Sequence, residues 1–138
     1  MKQCVSPKFQ AYKEAGIRFL EENKRRPGVK VLPCGVQYEV IVDAEGRKPN
    51  IRNQVQVHYK GYTFENLEFD NSYARKRPEV FGVNEVIKGW SEALKEMAIG
   101  AKWIVYIPYQ LGYGNRVSGK IKPYSALVFE IELIDVIL

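Results

Sequence analysis

The sequence predicts an α+β domain: an antiparallel β-sheet curled over a single α-helix, with a helical extension ahead of it. Three observations carry this. Beyond Arg47, apolar and polar residues mostly alternate with period two, as in strands half-buried in a sheet. One stretch breaks the alternation: Trp90, Ala93, Leu94, Met97 and Ala98 recur at helical spacing, and Gly100 follows as a C′ stop. The segments between strands read as hairpins and loops rather than helical crossovers, which selects antiparallel pairing.

Taken in order, Ser6-Pro7 is a helix start, a capping hydroxyl followed by proline at the first helical position. Phe9, Tyr12, Gly16, Phe19 and Leu20 then form an apolar stripe, and Arg26-Pro27-Gly28 ends the helix. This stripe either docks on its own domain or pairs with another copy. From Val29 the texture changes, so residues 1–28 are read as the extension and 29–138 as the main domain. Val29–Leu32 and Val36–Val42 are strand candidates, separated from the next by the turn residues Asp43-Ala44-Glu45-Gly46. Val55, Val57 and Tyr59 share one face of a strand continuing to Phe64, and a turn at Glu65-Asn66 leads to Leu67–Asp70. Residues 71–78 form a charged loop, and Val80–Val83 leads to the central helix. Lys102–Ile107 and Leu127–Ile137 are the last strands, joined by a long loop containing Gly112, Gly114 and Gly119.

The chain of 138 residues suits one domain able to bury a core without staples. There is no apolar run of membrane-spanning length and no signal-peptide pattern, so the expected compartment is cytoplasmic, or periplasmic if a leader has been removed. Cys4 and Cys34 read as two free thiols or a single disulfide, and no Cys/His spacing suggests a metal. The net charge of +5 comes from short clusters such as Lys24-Arg25-Arg26 and Arg75-Lys76-Arg77, which read as solvated surface rather than a nucleic-acid face.

Conventional chemistry has little support. His58, the single histidine, lies on the polar face of a strand and reads as structural. Asp70 is a lone carboxylate at a strand end, and no nucleophile elbow or phosphate loop is present. What stands out is aromatic: Tyr59, Phe69, Phe81, Trp90, Tyr113 and Phe129, with Val86, Ile87 and Ile121. Several border loops, so an apolar cleft with a few polar groups is expected, a normal small-ligand site.

Five segments in order carry a resemblance: Val57-His58-Tyr59-Lys60-Gly61, Phe69-Asp70-Asn71-Ser72, Phe81 through Trp90, Leu111-Gly112-Tyr113-Gly114 and Ala126 through Leu133. Over about the last hundred residues the chain resembles the FKBP family of peptidyl-prolyl cis-trans isomerases. Phe19 to Lys24 and Leu32 to Tyr38 are similar to the lead-in of bacterial members of the Mip/FkpA/FklB type. The resemblance implies a half-barrel sheet around the helix, with Trp90 as pocket floor and Tyr59, Phe69, Val86, Ile87, Ile121 and Phe129 as walls. It implies that Tyr113 and the Ile87 N–H donate to a substrate carbonyl, and that Arg75 supports Asp70 and Tyr59. The expected catalytic set is therefore Tyr59, Phe69, Asp70, Ile87, Trp90, Tyr113 and Phe129, with Arg75, Phe81, Val86 and Ile121 binding substrate. The implied partners are proline-containing polypeptides and macrolide inhibitors, with a homodimer through the N-terminal helix. No cofactor or metal is implied.

The implied chemistry needs no acid or base. Amide rotation faces a barrier of about 18–20 kcal/mol from resonance. The twisted transition state separates less charge than the planar amide, so an apolar, water-poor pocket favours it. The competing expectation is a chaperone-like or scaffolding module that binds peptides with weak or no isomerase activity. Glu79 stands where well-known members have an apolar or aromatic lip residue, and Ile121-Lys122-Pro123 replaces the usual Ile-Pro-Pro, with Lys120 just before it. These changes make the rim more polar and more basic, and bear on substrate preference and macrolide affinity.

Overall fold

The computed structural model describes residues 7–137, with side chains from Phe9 onward. Ser6 and Cys4, read above as a cap and a thiol, lie outside the described residues; Cys34 is free and exposed.

Helix α1 spans Pro7–Asn23 and stops before Pro27 is reached. Its last residue turns inward instead: the buried Asn23 donates from Nδ2 to Gln37 Oε1 at 2.8 Å and accepts from Arg26 Nε and Nη2. Gln37 in turn donates to the Leu20 carbonyl at 2.9 Å. Of the two fates open to its apolar stripe, docking on its own domain is the one observed. Tyr12 and Phe19 pack on Phe64, with ring centroids 5.0 and 5.9 Å away, and the buried Gly16 lies against Ala126.

The strands are β1 (Lys30–Val31), β2 (Gln37–Val42), β3 (Gln54–Thr63), β4 (Glu68–Asn71), β5 (Glu79–Gly82), β6 (Lys102–Ile107) and β7 (Leu127–Ile137). They form one antiparallel sheet in the order β1-β2-β6-β7-β3-β4, with β5 also paired to β3. The period-two pattern explains which face is buried. Val55, Val57, Tyr59, Gly61 and Thr63 of β3 and Leu127, Phe129, Ile131 and Leu133 of β7 all turn away from solvent. That face packs on α2 (Lys88–Leu94), whose Gly89, Trp90, Ser91, Ala93 and Leu94 are buried. Ser91 donates to the Val83 carbonyl at 2.5 Å, tying α2 to the 3₁₀ turn Val83–Glu85 before it.

Apolar spacing predicts helix through Ala98, but α2 ends at Leu94. Met97 and Ala98 are buried in the turns that follow, where Glu96 and Met97 donate to carbonyls three residues back. Burial outlasts the helical hydrogen bonding, which is why the stripe overstates the helix. Gly100 does adopt φ +95°, but as part of the turn into β6, donating to the Leu133 carbonyl at 2.8 Å. Among the described residues no helix is long and apolar enough to cross a membrane.

Candidate active site

Where β3, β4 and β7 curl over the start of α2, they leave a cleft of about 340 Å³. It is lined by Tyr59, Phe69, Asp70, Phe81, Glu85, Val86, Ile87, Trp90, Tyr113 and Phe129. Nine of these ten are residues singled out from sequence; Glu85 is the addition. It sits in the 3₁₀ turn before Val86, and a side chain at Gly82 would collide with its carboxyl group. A glycine three residues ahead of an acid was the available signal.

Trp90 is only 3% exposed and stands perpendicular to three rings. Its centroid lies 5.0 Å from Tyr59, 5.7 Å from Phe81 and 5.2 Å from Phe129, at interplanar angles of 88–90°. Edge-to-face geometry suits aromatic quadrupoles and fixes the indole rigidly. Its buried Nε1 has no hydrogen-bond partner among the described residues. Phe69 meets Phe129 edge-on at 5.6 Å, and the two rings close over Gly61, where there is no room for a Cβ.

One polar network borders this apolar surface. The Tyr59 hydroxyl donates to Asp70, Arg75 Nη1 donates to Asp70 Oδ1 at 2.5 Å, and the Asn71 N–H donates to the same oxygen at 3.0 Å. Burial alone would raise the Asp70 pKa, but the bonds from Tyr59 and Arg75 outweigh it and hold the carboxyl below its ordinary value. Burial, then the bond to Asp70, pushes the Tyr59 phenol up to about 12. Asp70 is thus an ionised carboxylate accepting three hydrogen bonds, and its lowered pKa makes it a poor general base near neutrality. The Tyr113 phenol is half-buried, and that burial raises its pKa, so its proton stays available to donate.

Ile87 occupies the N-cap of α2. Its carbonyl accepts from Trp90 and Ser91, while its own N–H has no hydrogen-bond partner among the described residues. Strand pairing explains how Tyr59 is held. The outer edge of β3 pairs with β5 over Gln54–Val57 and with β4 over Lys60–Tyr62, leaving residues 58 and 59 between them. Ser72 fills the gap: it accepts from the Tyr59 N–H at 2.7 Å, donates its own N–H to the Tyr59 carbonyl and meets His58 Nδ1 at 2.8 Å. His58 also stacks on Tyr73, so its surroundings are structural.

Two placements expected from sequence need correction. Ile121 does not line the cleft; a local bridge with Ser118 folds the loop so that Ile121 is 3% exposed within the main core. Arg75, expected to bind substrate, does not line it either; it does support Asp70 and Tyr59, with Nη2 3.3 Å from the phenol oxygen. Glu79 is engaged by Arg75, whose Nε donates to it at 3.1 Å. No group of acids, histidines or cysteines able to hold a metal occurs among the described residues.

Comparison with known proteins bears on this geometry. Residues 45–134 match the family described as FKBP-type peptidyl-prolyl cis-trans isomerase. Residues 1–40 match the domain amino terminal to FKBP-type peptidyl-prolyl isomerase. The chain is 44% identical over 131 residues to the FKBP-type 22 kDa peptidyl-prolyl cis-trans isomerase of Escherichia coli, covering 94% of this chain and 64% of that protein. It is 44% identical over 124 residues to the peptidyl-prolyl cis-trans isomerase Mip of Coxiella burnetii, covering 89% and 54%. Among solved structures, a peptidyl-prolyl cis-trans isomerase of Pseudomonas syringae superposes with a TM-score of 0.89 at 36% identity, covering 99% of this chain and all of that one. The chain spans 54–64% of the length of these two curated relatives.

Proposed function

The chain belongs to the FKBP-type peptidyl-prolyl cis-trans isomerase family, and from that premise we propose that its cleft accelerates rotation about X-Pro bonds in folding proteins. The observation that carries the proposal is the Trp90 indole, boxed edge-on by Tyr59, Phe81 and Phe129 beneath a mostly apolar cleft. A pyrrolidine ring laid on that indole loses water from the face it presents to it. The preceding amide then sits where its planar, charge-separated form is poorly solvated, and the twisted form is favoured by comparison. The Tyr113 hydroxyl and the Ile87 N–H are donors placed to hold a rotated carbonyl. Asp70 serves Tyr59 and Arg75 rather than the substrate, so no proton need move.

The test is a protease-coupled isomerisation assay on a Leu-Pro tetrapeptide, with and without rapamycin. We expect turnover above the spontaneous rate, slowed when Tyr113→Phe removes the hydroxyl and suppressed when the macrolide fills the cleft. A wild-type rate equal to the spontaneous one, with peptide still bound, favours the competing reading of a binding module. A homodimer through α1 would have to use the side of the helix that leaves Ile17 43% exposed, since Tyr12, Gly16 and Phe19 are engaged with the domain. A monomer mass by light scattering at micromolar concentration counts against it.

A further inference from the structure

The loop between β6 and β7 carries Tyr113 but has little regular structure of its own. Near Tyr113 it is held by the Arg116 N–H, which donates to the Tyr113 carbonyl at 3.1 Å, by Gly114, which donates to the Tyr109 carbonyl at 2.9 Å, and by the Tyr124 N–H, which joins the far end of the loop to the Gly114 carbonyl at 2.8 Å. Tyr124 adopts φ +63°, a left-handed conformation that a bulky residue holds only where its surroundings impose it.

Those surroundings come from α1. Lys13 Nζ stands 5.2 Å from the Tyr124 ring centroid and 5.4 Å from that of Tyr109, over an edge-to-face pair of tyrosines 5.2 Å apart. Next along the chain, Ser125 donates its single hydroxyl proton to the Lys122 carbonyl at 2.7 Å. Its oxygen, 2.9 Å from the Tyr12 hydroxyl, must therefore be the acceptor, and Tyr12 the donor. Lys122 completes the set with Nζ 4.9 Å from the centroid of the Tyr12 ring.

We infer that α1 belongs to the working site: Tyr12 and Lys13 are positioning residues that hold the loop, and through it Tyr113, against the cleft. The catalytic part of this inference rests on the isomerase reading above; the bracing part does not. Two measurements on the full chain separate them. Amide hydrogen exchange needs no turnover. Lys13→Met and Tyr12→Phe should each speed exchange at the Tyr124 and Gly114 amides about threefold or more, as expected for losing a cation over two rings or one hydrogen bond. The centre of β7 should be unaffected, and Lys13→Arg, which keeps a cation over the rings, should restore protection. Unchanged exchange at both amides overturns the brace. So does an equal acceleration throughout the sheet, which would make α1 a general stabiliser.

The second measurement is a double-mutant cycle on kcat/KM. Lys13→Met should lower it about threefold in the wild-type background and distinctly less once Tyr113→Phe has removed the hydroxyl being positioned. An equal loss in both backgrounds overturns the route through Tyr113. Wild-type protein with no turnover defeats the isomerase reading, and exchange still decides the brace.

Discussion

Replacing Gly61 by alanine perturbs the cleft without removing any atom from it. Gly61 lies opposite Phe129 on β7 and Asp70 on β4. A methyl there would sit 2.8 Å from Phe129 Cε1 and 2.8 Å from both Cε1 and Cζ of Phe69. Carbon contacts relax at about 3.5–4.0 Å, so the rings must retreat by roughly 1 Å. Overpacking of this kind costs about 1–3 kcal/mol, offset by roughly 0.4–1 kcal/mol from the stiffer unfolded chain. The expected loss of stability is therefore about 1 kcal/mol, read as a lower denaturation midpoint. The functional loss should be larger, at least about tenfold in kcat/KM, because a wall displaced by about 1 Å misplaces the substrate. Tetrapeptide isomerisation alongside urea unfolding measures both. Gly16→Ala is the stability control: its methyl would meet Ala126 and Phe64 at an ordinary 3.5 Å, and alanine is the better helix former by about 1 kcal/mol. If Gly61→Ala keeps both the wild-type midpoint and the wild-type rate, the two phenylalanines do not close over that glycine.

Asp70→Val strips the Tyr59 hydroxyl of its acceptor and should destabilise by about 1–3 kcal/mol in urea unfolding, while slowing turnover. Adding Tyr59→Phe should recover part of the stability, and strict additivity would mean the two groups are not coupled. The pH profile follows from opposite shifts. The lowered Asp70 pKa gives stability that is present above the ordinary carboxylate value and lost as pH falls through the lowered one. The Tyr59 pKa, raised to about 12, gives stability that is full below the ordinary phenol value and lost as pH rises through the raised one. Turnover should therefore be flat between roughly pH 5 and pH 9, and a titration step near neutrality in kcat/KM would contradict the network. Glu79→Leu releases Arg75 Nε but leaves its bond to Asp70. It should change stability by less than about 1 kcal/mol, and raise Glu-Pro relative to Leu-Pro turnover by removing a like charge.

The sequence showed the sheet more plainly than the helices, for a physical reason. Alternation at Val55, Val57 and Tyr59 reports directly which side chains of β3 face inward, and β6 appears with the bounds Lys102–Ile107 that its apolar run suggests. Helical spacing reports burial too, but burial at Met97 and Ala98 continues after the hydrogen bonds of α2 have stopped. The stripe on α1 is equally compatible with its own domain or a second chain; the ring it packs on, Phe64, is distant in sequence. In the cleft, ring-bearing residues at loop borders were legible because so much aromatic surface needs a common place to pack. Ile121 was not, since an isolated bridge decides whether a loop residue faces cleft or core. Nor was the engagement of Glu79, which depends on where the Arg75 side chain reaches.

The sheet order places β7 between β3 and β6, although β7 follows both in the chain. While residues 127–137 are still unmade, the edges of β3 and β6 that later face it have no partner, and Phe129 is missing from beside Trp90. Closing the sheet and completing the cleft are thus one late event, joining segments far apart in sequence, the kind of pairing that forms slowly and leaves strand edges open to aggregation. During synthesis, the edges of β3 and β6 must wait, exposed, for the strand that completes both sheet and cleft.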